Sequence, residues 1–410
     1  MILAGDIGGT KTVLALFSRE EGVGGGALHE TRFESGKYSS LEAIIVEFLR
    51  QTGARPSSAS FGVAGPVKGQ QAQITNLPWT IDAETIRLSF DLPRVFLLND
   101  LESIATAVPH LGSEDLKTLN RGETVPRGNI AVIAPGTGLG TAFLVWTGEG
   151  YKACASEGGH ASFSPCNLQQ MELLKYLNSR YDHVSFERIC SGSHLPNIYD
   201  FFIERNSYPE PNWLRGELAQ ARDRTPVIVQ NALAHKADIC VATLDMFVQV
   251  LGTVIGNMAV TLLPDGGIYL GGGIPPRILE RLLEHDFMHA ITDKGRFSTL
   301  CSNMPIHVIL DPKMDKTILL PMMFFDPDSG LKITLLNNFC FELTVFDEST
   351  TVVTFQKYFP FIRNLFVHNI PIVKSLPLSK RPCAYAPFLF APNSVPIIKK
   401  IVMPDIKNTY

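Results

Sequence analysis

Apolar and polar positions follow two regimes along this chain. Short, nearly continuous apolar runs that end at glycines read as buried strands, and stretches with apolar residues every three or four positions read as helices. The first run, residues 3–16, is Leu-Ala-Gly-Asp-Ile-Gly-Gly-Thr-Lys-Thr-Val-Leu-Ala-Leu, a strand, a glycine turn and a second strand. Ser39-Ser40-Leu41-Glu42 opens a helix with capping-box chemistry; Leu41, Ile44, Ile45, Phe48 and Leu49 share one face, and Gly53 is its stop. Residues 22–26 form a flexible glycine turn, and residues 59–63 a buried strand ending at Gly65-Pro66. Residues 95–105 run from an apolar strand into a helix, with Asn99 and Asp100 at the junction. Residues 130–145 repeat the opening design: strand, glycine turn with Thr137, strand. A long helix over 241–263 buries Leu244, Phe247, Val248, Leu251 and Ile255, with Gly252 and Gly256 permitting close helix contact. Residues 266–275 are a strand entering the triple glycine Gly271, Gly272 and Gly273.

Both hairpin turns carry the chemistry of an anion grip. Glycines let backbone N–H groups approach a phosphate, Thr10 adds a hydroxyl, Lys11 adds charge, and Asp6 at the strand end can hold Mg²⁺ directly or through water. An ordinary hairpin with a lysine beside its turn fits residues 3–16 equally well. The echo, about 130 residues on, suggests a duplicated architecture in which each half presents a turn to the same nucleotide. Neither turn has Walker A spacing, and Gly136, Gly138 and Gly140 are spaced G-x-G-x-G with no helix after them, which excludes a dinucleotide fingerprint. Asn99 and Asp100 sit where open α/β sheets place ligands, and are equally at home as helix caps. Glu157, His160 and Glu187 lie beside glycines or in a short polar stretch, and either converge on the hydroxyls of one small ligand or remain solvated. Trp79 is either packed or sugar-facing.

Composition narrows the partners. The chain has 410 residues, enough for two or three domains, with 19% charged residues and a net charge of -4, so no nucleic acid and no anionic membrane surface is implied as partner; a small molecule fits better. No uninterrupted apolar run reaches the ~18 residues of a membrane span, and Asp6 and Lys11 interrupt any leader core, so a cytoplasmic protein is expected. Seven scattered cysteines with no C-x-x-C suggest reduced thiols rather than disulfides or zinc.

Taken in order, these pieces resemble a bacterial glucokinase, in the zinc-free branch of the hexokinase, actin and Hsp70 superfold. The residues carrying the resemblance are 3–12, Gly62-Val63-Ala64-Gly65-Pro66, Leu98-Asn99-Asp100-Leu101-Glu102, 135–141, Glu157-Gly158-Gly159-His160, Glu187-Arg188 and 270–275. The resemblance implies two ribonuclease H-like (actin-like ATPase) α/β domains with a cleft between them, a small one over 1–110 and a large one over 111–313. It implies an ATP- and Mg²⁺-dependent transfer of the γ-phosphoryl group to the 6-hydroxyl of glucose. Asn99, Asp100, Glu157, His160 and Glu187 would contact glucose, with Asp100 as the base. Asp6, Ile7, Gly8, Gly9, Thr10 and Lys11, with Thr137 and Gly138, would grip phosphate and metal, Asp6 being the metal carboxylate. Gly271, Gly272 and Gly273 would face the adenosine, and a homodimer is the implied assembly.

The resemblance ends near residue 313. Beyond Gly295 the only glycine is Gly330, and 11 of the 25 phenylalanines lie from Phe324 onward, so residues 314–410 form an atypical tail. Short strands are expected at 343–346, 351–355 and 360–367. Tails of this composition are disordered, lightly packed or the product of a shifted reading frame, and composition does not separate these.

Overall fold

Strand β1, Ile2–Ile7, is almost wholly buried, with Asp6 as its one partly open position. Antiparallel β2, Lys11–Phe17, follows at once, and β3, His29–Glu34, extends the sheet on the far side of β2. Helix α1, Leu41–Thr52, turns its apolar face of Leu41, Ile44, Ile45 and Phe48 into the core. Ser40 caps it by accepting from the Ala43 N–H, and Gly53, at φ 64°, ends it. The cap falls one residue later than the capping box expected from Ser39 and Glu42, so Ala43 occupies the third helical position and the bond is not reciprocated. The chain then enters β4, Ser58–Val63, parallel to β1. A small sheet of β5, Val67–Lys68, β6, Gln71–Gln73, and β7, Thr80–Asp82, precedes α2, Ala83–Ser89, and β8, Val95–Asn99, parallel to β4. The first large sheet is therefore ordered β3-β2-β1-β4-β8.

Helix α3, Asp100–Ala107, leads out of β8 toward a second sheet. Its strands are β9, Leu116–Asn120, β10, Ile130–Pro135, β11, Leu139–Trp146, and β12, Tyr151–Ser156. A helical block of α4, Leu168–Asn178, α5, Leu195–Glu204, α6, Asn212–Gln220, α7, Arg224–Leu233, and α8, Asp238–Leu262, comes next. The chain returns through β13, Gly267–Leu270, the short helices α9, Leu279–Leu282, α10, His285–Thr292, and α11, Ser298–Ser302, and β14, Ile306–Ile309. The order is β12-β11-β10-β13-β14-β9. With β9 set aside as an added edge, this is the order of the first sheet: a central strand, an antiparallel meander of two strands on one side and two parallel strands on the other. The ribonuclease H-like arrangement expected from the sequence is present twice.

This computed structural model describes residues 1–18, 26–74 and 77–310, and beyond them three backbone strands. Most of the expected glycine turn at 22–26 lies outside the described residues. Two compact units, Met1–Phe325 and Asp326–Tyr410, divide the chain, and both large sheets belong to the first. The second unit contains an antiparallel sheet of β15, Leu331–Asn337, β16, Cys340–Val345, and β17, Thr351–Gln356. The strands expected at 343–346 and 351–355 overlap β16 and β17, β15 was not foreseen, and 360–367 falls outside the described residues.

Helix α8 is the one described helix long and apolar enough to cross a membrane. Fifteen of its 25 residues are buried in the protein core, and Gly252 lies against Phe287 and Ala290 of α10, so it is a core helix. Its apolar character is broken by Asp245 and Gln249, which is why no uninterrupted run signals it in the sequence.

Helix α3 packs on both large sheets. Ser103 lies over Gly62 of β4, where a Cβ would stand 3.0 Å from the serine Oγ, while Leu101 lies directly on Gly140 of β11. Ala105 and Val108 join Ile130, Val132, Ala142 and Leu144 in one apolar cluster, with Ile104 packed against it. Gly140→Ala drives a methyl into the Leu101 side chain and is expected to cost about 1–3 kcal/mol. The expected drop in Tm, read by thermal melting, is about 2–4 °C per kcal/mol, and Leu101→Ala in the same chain restores part of it.

Candidate active site

The first turn is braced from behind. Ser35 Oγ donates to the Gly8 carbonyl at 2.8 Å and lies 3.0 Å from Thr12 Oγ1, so the threonine hydroxyl donates to the serine. The Ser35 N–H in turn bonds the Thr10 carbonyl at 3.1 Å, and the Gly8 N–H closes the turn on the Lys11 carbonyl at 2.9 Å. Buried Ser35 had no signal in the sequence beyond being a serine at the end of a polar strand. Thr10 and Lys11 are exposed, while Gly8 and Gly9 are partly open.

At the junction of β8 and α3, Asn99 is the helix cap. Its Oδ1 accepts from the N–H groups of Leu101 at 3.0 Å and Glu102 at 3.4 Å, and its Nδ2 donates to the Gly65 carbonyl at 3.1 Å. The Asn99 amide also hydrogen-bonds the Asp100 carboxylate, so cap and carboxylate are tied together. Asp100, the first residue of α3, accepts from the Leu101 N–H at 2.9 Å. Burial pushes the Asp100 carboxyl above the ordinary carboxylate range; the Leu101 N–H pulls the other way, and the nearby Asp6 carboxylate adds to the rise. Asp6 at the end of β1 and Asp100 at the start of α3 are thus close enough to feel each other's charge.

The start of β11 gathers the remaining groups. The Leu139 N–H donates to Glu187 Oε2 at 2.9 Å, and a Cβ on Gly138 would sit 2.6 Å from the same oxygen. The carbonyl of Leu139 lies directly against Gly159, and Gly158 packs on Thr141, which seats the turn carrying Glu157 and His160. Both of those side chains are exposed. Gly140 touches Leu101, the residue after Asp100. Four consecutive residues, 138–141, therefore touch Glu187 itself, the glycines between Glu157 and His160, and the residue after Asp100. The second turn is backed by the Gly192 N–H, which donates to the Gly136 carbonyl at 2.7 Å, and by Ser193 on the Thr137 carbonyl at 3.2 Å. Thr225 Oγ1 donates to the Gly192 carbonyl at 2.5 Å. These supports went unread because each acts through the backbone of a residue distant in sequence.

The triple glycine divides its duties. Gly272 has φ 79°, a left-handed conformation suited to glycine, and lies against the Pro135 carbonyl. Gly273 faces open space, whereas Gly271 is buried against Ile104, Ala134 and Ile309. A Cβ on Gly271 would lie 3.4–3.8 Å from these side chains, an ordinary packing distance, so the inward side of this residue is the core and only its backbone could face a nucleotide. Trp79 is 3% exposed, packed in the core of the first sheet, so it does not face a sugar.

Two sheets of one topology, each with a glycine hairpin turn and bridged by α3, are the actin-like ATPase fold, and the family match below makes this an ATP-dependent hexose kinase. The family model named Glucokinase matches residues 3–315. Glucokinase from Nostoc punctiforme is 34% identical over 327 residues, covering 77% of this chain and 96% of that protein. Its counterpart from Tolumonas auensis is 35% identical over 309 residues, covering 75% and 92%. Among solved structures, a glucokinase from an Antarctic psychrotroph superposes with TM-score 0.68 at 29% identity, covering 78% of this chain and 97% of that one. A ROK family glucokinase from Streptomyces griseus in complex with glucose and AMPPNP has TM-score 0.52 at 16% identity, covering 78% and 98%, a likeness of fold alone. The chain belongs to the glucokinase family, enzymes that phosphorylate glucose with ATP.

The raised Asp100 carboxyl has a consequence for stability. A carboxyl whose folded pKa exceeds its unfolded value destabilises the native state while charged, and the penalty fades as pH falls through the folded pKa toward the unfolded one. Asp100→Asn keeps an acceptor for the Leu101 N–H and is expected to melt higher than the wild type at pH 7. The two melting temperatures are expected to converge near pH 4; circular dichroism melts at both values check this.

Proposed function

We propose that Asp100 is the general base of glucose phosphorylation, and that Asn99, Glu157, His160 and Glu187 hold the sugar with it. In this scheme Asp100 accepts the proton of the 6-hydroxyl as that oxygen bonds to the γ-phosphorus and the bond to the ADP oxygen breaks. The observation that carries it is the placement of a half-buried carboxyl with a raised pKa at the N-terminus of α3, close to the start of β11, which contacts Glu187 and the turn carrying Glu157 and His160. A base needs a pKa nearer the working pH than an ordinary aspartate has, and burial supplies that shift. Backbone N–H groups of the turns at 8–11 and 136–138, with Ile7 leading into the first, would cradle the phosphates, and Thr10, Lys11 and Thr137 would reach them with side chains. Gly272 and Gly273 would take the adenosine side.

Asp6 is the residue fitted to hold Mg²⁺. Among the described residues no cluster of three ligating side chains exists, which suits a cation held by one carboxylate, water and substrate phosphates. The mutual repulsion of Asp6 and Asp100 is the electrostatic situation that a divalent cation relieves. When bound, the ion would neutralise charge developing on the transferring group. We read the lobes as residues 1–110 and 111–313, closing over the sugar to keep water out, and the tail as starting at 314. A cytoplasmic homodimer is the setting the family resemblance implies.

A coupled ADP-release assay over a small hexose panel tests the assignment. Release is expected with glucose above the other sugars, and none without sugar. Asp100→Ala is expected to lower kcat by about 10²–10⁴, the usual worth of a general base, while ATP affinity stays within about twofold. Near-normal turnover by this variant refutes the base assignment.

A further inference from the structure

Behind Glu187 lies a polar relay that the phosphoryl transfer does not use. Arg188 Nη1 is 2.8 Å from His194 Nε2. A guanidinium only donates, so Nε2 accepts and the ring's proton is on Nδ1. Nδ1 is 2.9 Å from Ser191 Oγ, which therefore accepts from it and spends its own hydrogen on the Glu187 carbonyl, also at 2.9 Å. The direction of every bond is fixed: Arg188 to His194, His194 to Ser191, Ser191 to Glu187. The Arg188 guanidinium stacks on Tyr181 at 4.3 Å, and its carbonyl accepts from Asn197 Nδ2 at 2.9 Å.

We propose that His194 is a positioning residue for the sugar site, a neutral imidazole that fixes Glu187 through Ser191, and that glucose affinity consequently falls when acid protonates the ring. The proposal rests on Glu187 contacting the sugar. A proton on Nε2 would point at a donor and set two cations 2.8 Å apart, so ring and guanidinium must separate. That separation disturbs Glu187 by two routes, through Ser191 and through the adjoining peptide of Arg188. The carboxylate it disturbs is the one fastened to the Leu139 N–H. Arg188, Glu187 and Tyr181 are the charged or titratable groups facing His194 among the described residues. Burial first, and Arg188 second, hold the imidazole below its ordinary range, with Glu187 opposing. The ring is therefore neutral at pH 7 and charges only in more acid solution.

The test is glucose Kd by titration calorimetry on the full chain at pH 7.5 and 5.5. The wild type is expected to bind several-fold more weakly at pH 5.5. His194→Asn places an amide N–H where Nδ1–H stood and cannot titrate; it is expected to bind as the wild type does at pH 7.5 and to lose most of the acid weakening. Ser191→Ala, a small change in a buried position, cuts the relay while leaving His194 in place. It is expected to bind glucose several-fold more weakly at pH 7.5, with little further loss at pH 5.5. Wild-type acid weakening in both variants overturns the proposal alone, since glucose binding and turnover persist. Absence of glucose binding by the wild type at either pH overturns the proposal together with the sugar assignment.

Discussion

One helix has to fit two sheets at once. Helix α3 begins at the carboxyl end of β8 in the first sheet and packs its apolar face on β10 and β11 of the second. It can lie close to both because Gly62 and Gly140 present no side chain where Ser103 and Leu101 arrive. Asn99 fixes its first turn, bonding two helix N–H groups on one side and the Gly65 carbonyl on the other. The position of Asp100 is thus set jointly by both sheets. A carboxyl there is removed from water, and the Leu101 N–H with the helix N-terminus only partly offsets that loss.

In the proposed site, Glu187 would tie the sugar side to the phosphate side. One oxygen is anchored on the Leu139 N–H, directly after the turn at 136–138, which leaves the other for a ligand hydroxyl. Five residues on, Gly192 supports the same turn from beneath, and Thr225 on α7 supports Gly192. The segment from Glu187 to Ser193 therefore reports any shift in one half of the site to the other. Groups held this way need little rearrangement when a transition state forms, which is where preorganised donors have their effect.

What the sequence made legible was periodic or punctuated. Glycine-ended apolar runs located β1, β2, β10, β11 and β13, and the spacing of Leu41, Ile44, Ile45 and Phe48 located α1 with its Gly53 stop. The echo of two hairpins carried the duplicated topology, because strand order follows from a hairpin plus parallel returns. Illegible were contacts between backbone groups far apart in sequence: Ser35 on Gly8, Gly192 on Gly136, Gly159 on Leu139. Such contacts depend on where a main chain passes, which residue type scarcely records. Gly271 shows the converse, a glycine whose motif suggested ligand and whose missing side chain would point at Ile104, Ala134 and Ile309 in the core.

That division has a chemical cause. Phosphoryl transfer asks for alignment and charge stabilisation rather than covalent assistance from the protein, so a site built for it needs few reactive side chains and many well-placed N–H groups. In the proposed site, Asp6 and Asp100 would supply the acidic chemistry, and most of what surrounds them is turn, glycine and cap. Reactive residues can be guessed from type, but an N–H cradle shows only as the glycines that let a chain pass close to something. Those glycines mark packing seams as often as ligand surfaces, since both require the same absent Cβ. Only the neighbours decide between them: Glu187 beside Gly138, Leu101 beside Gly140, and open space beside Gly273.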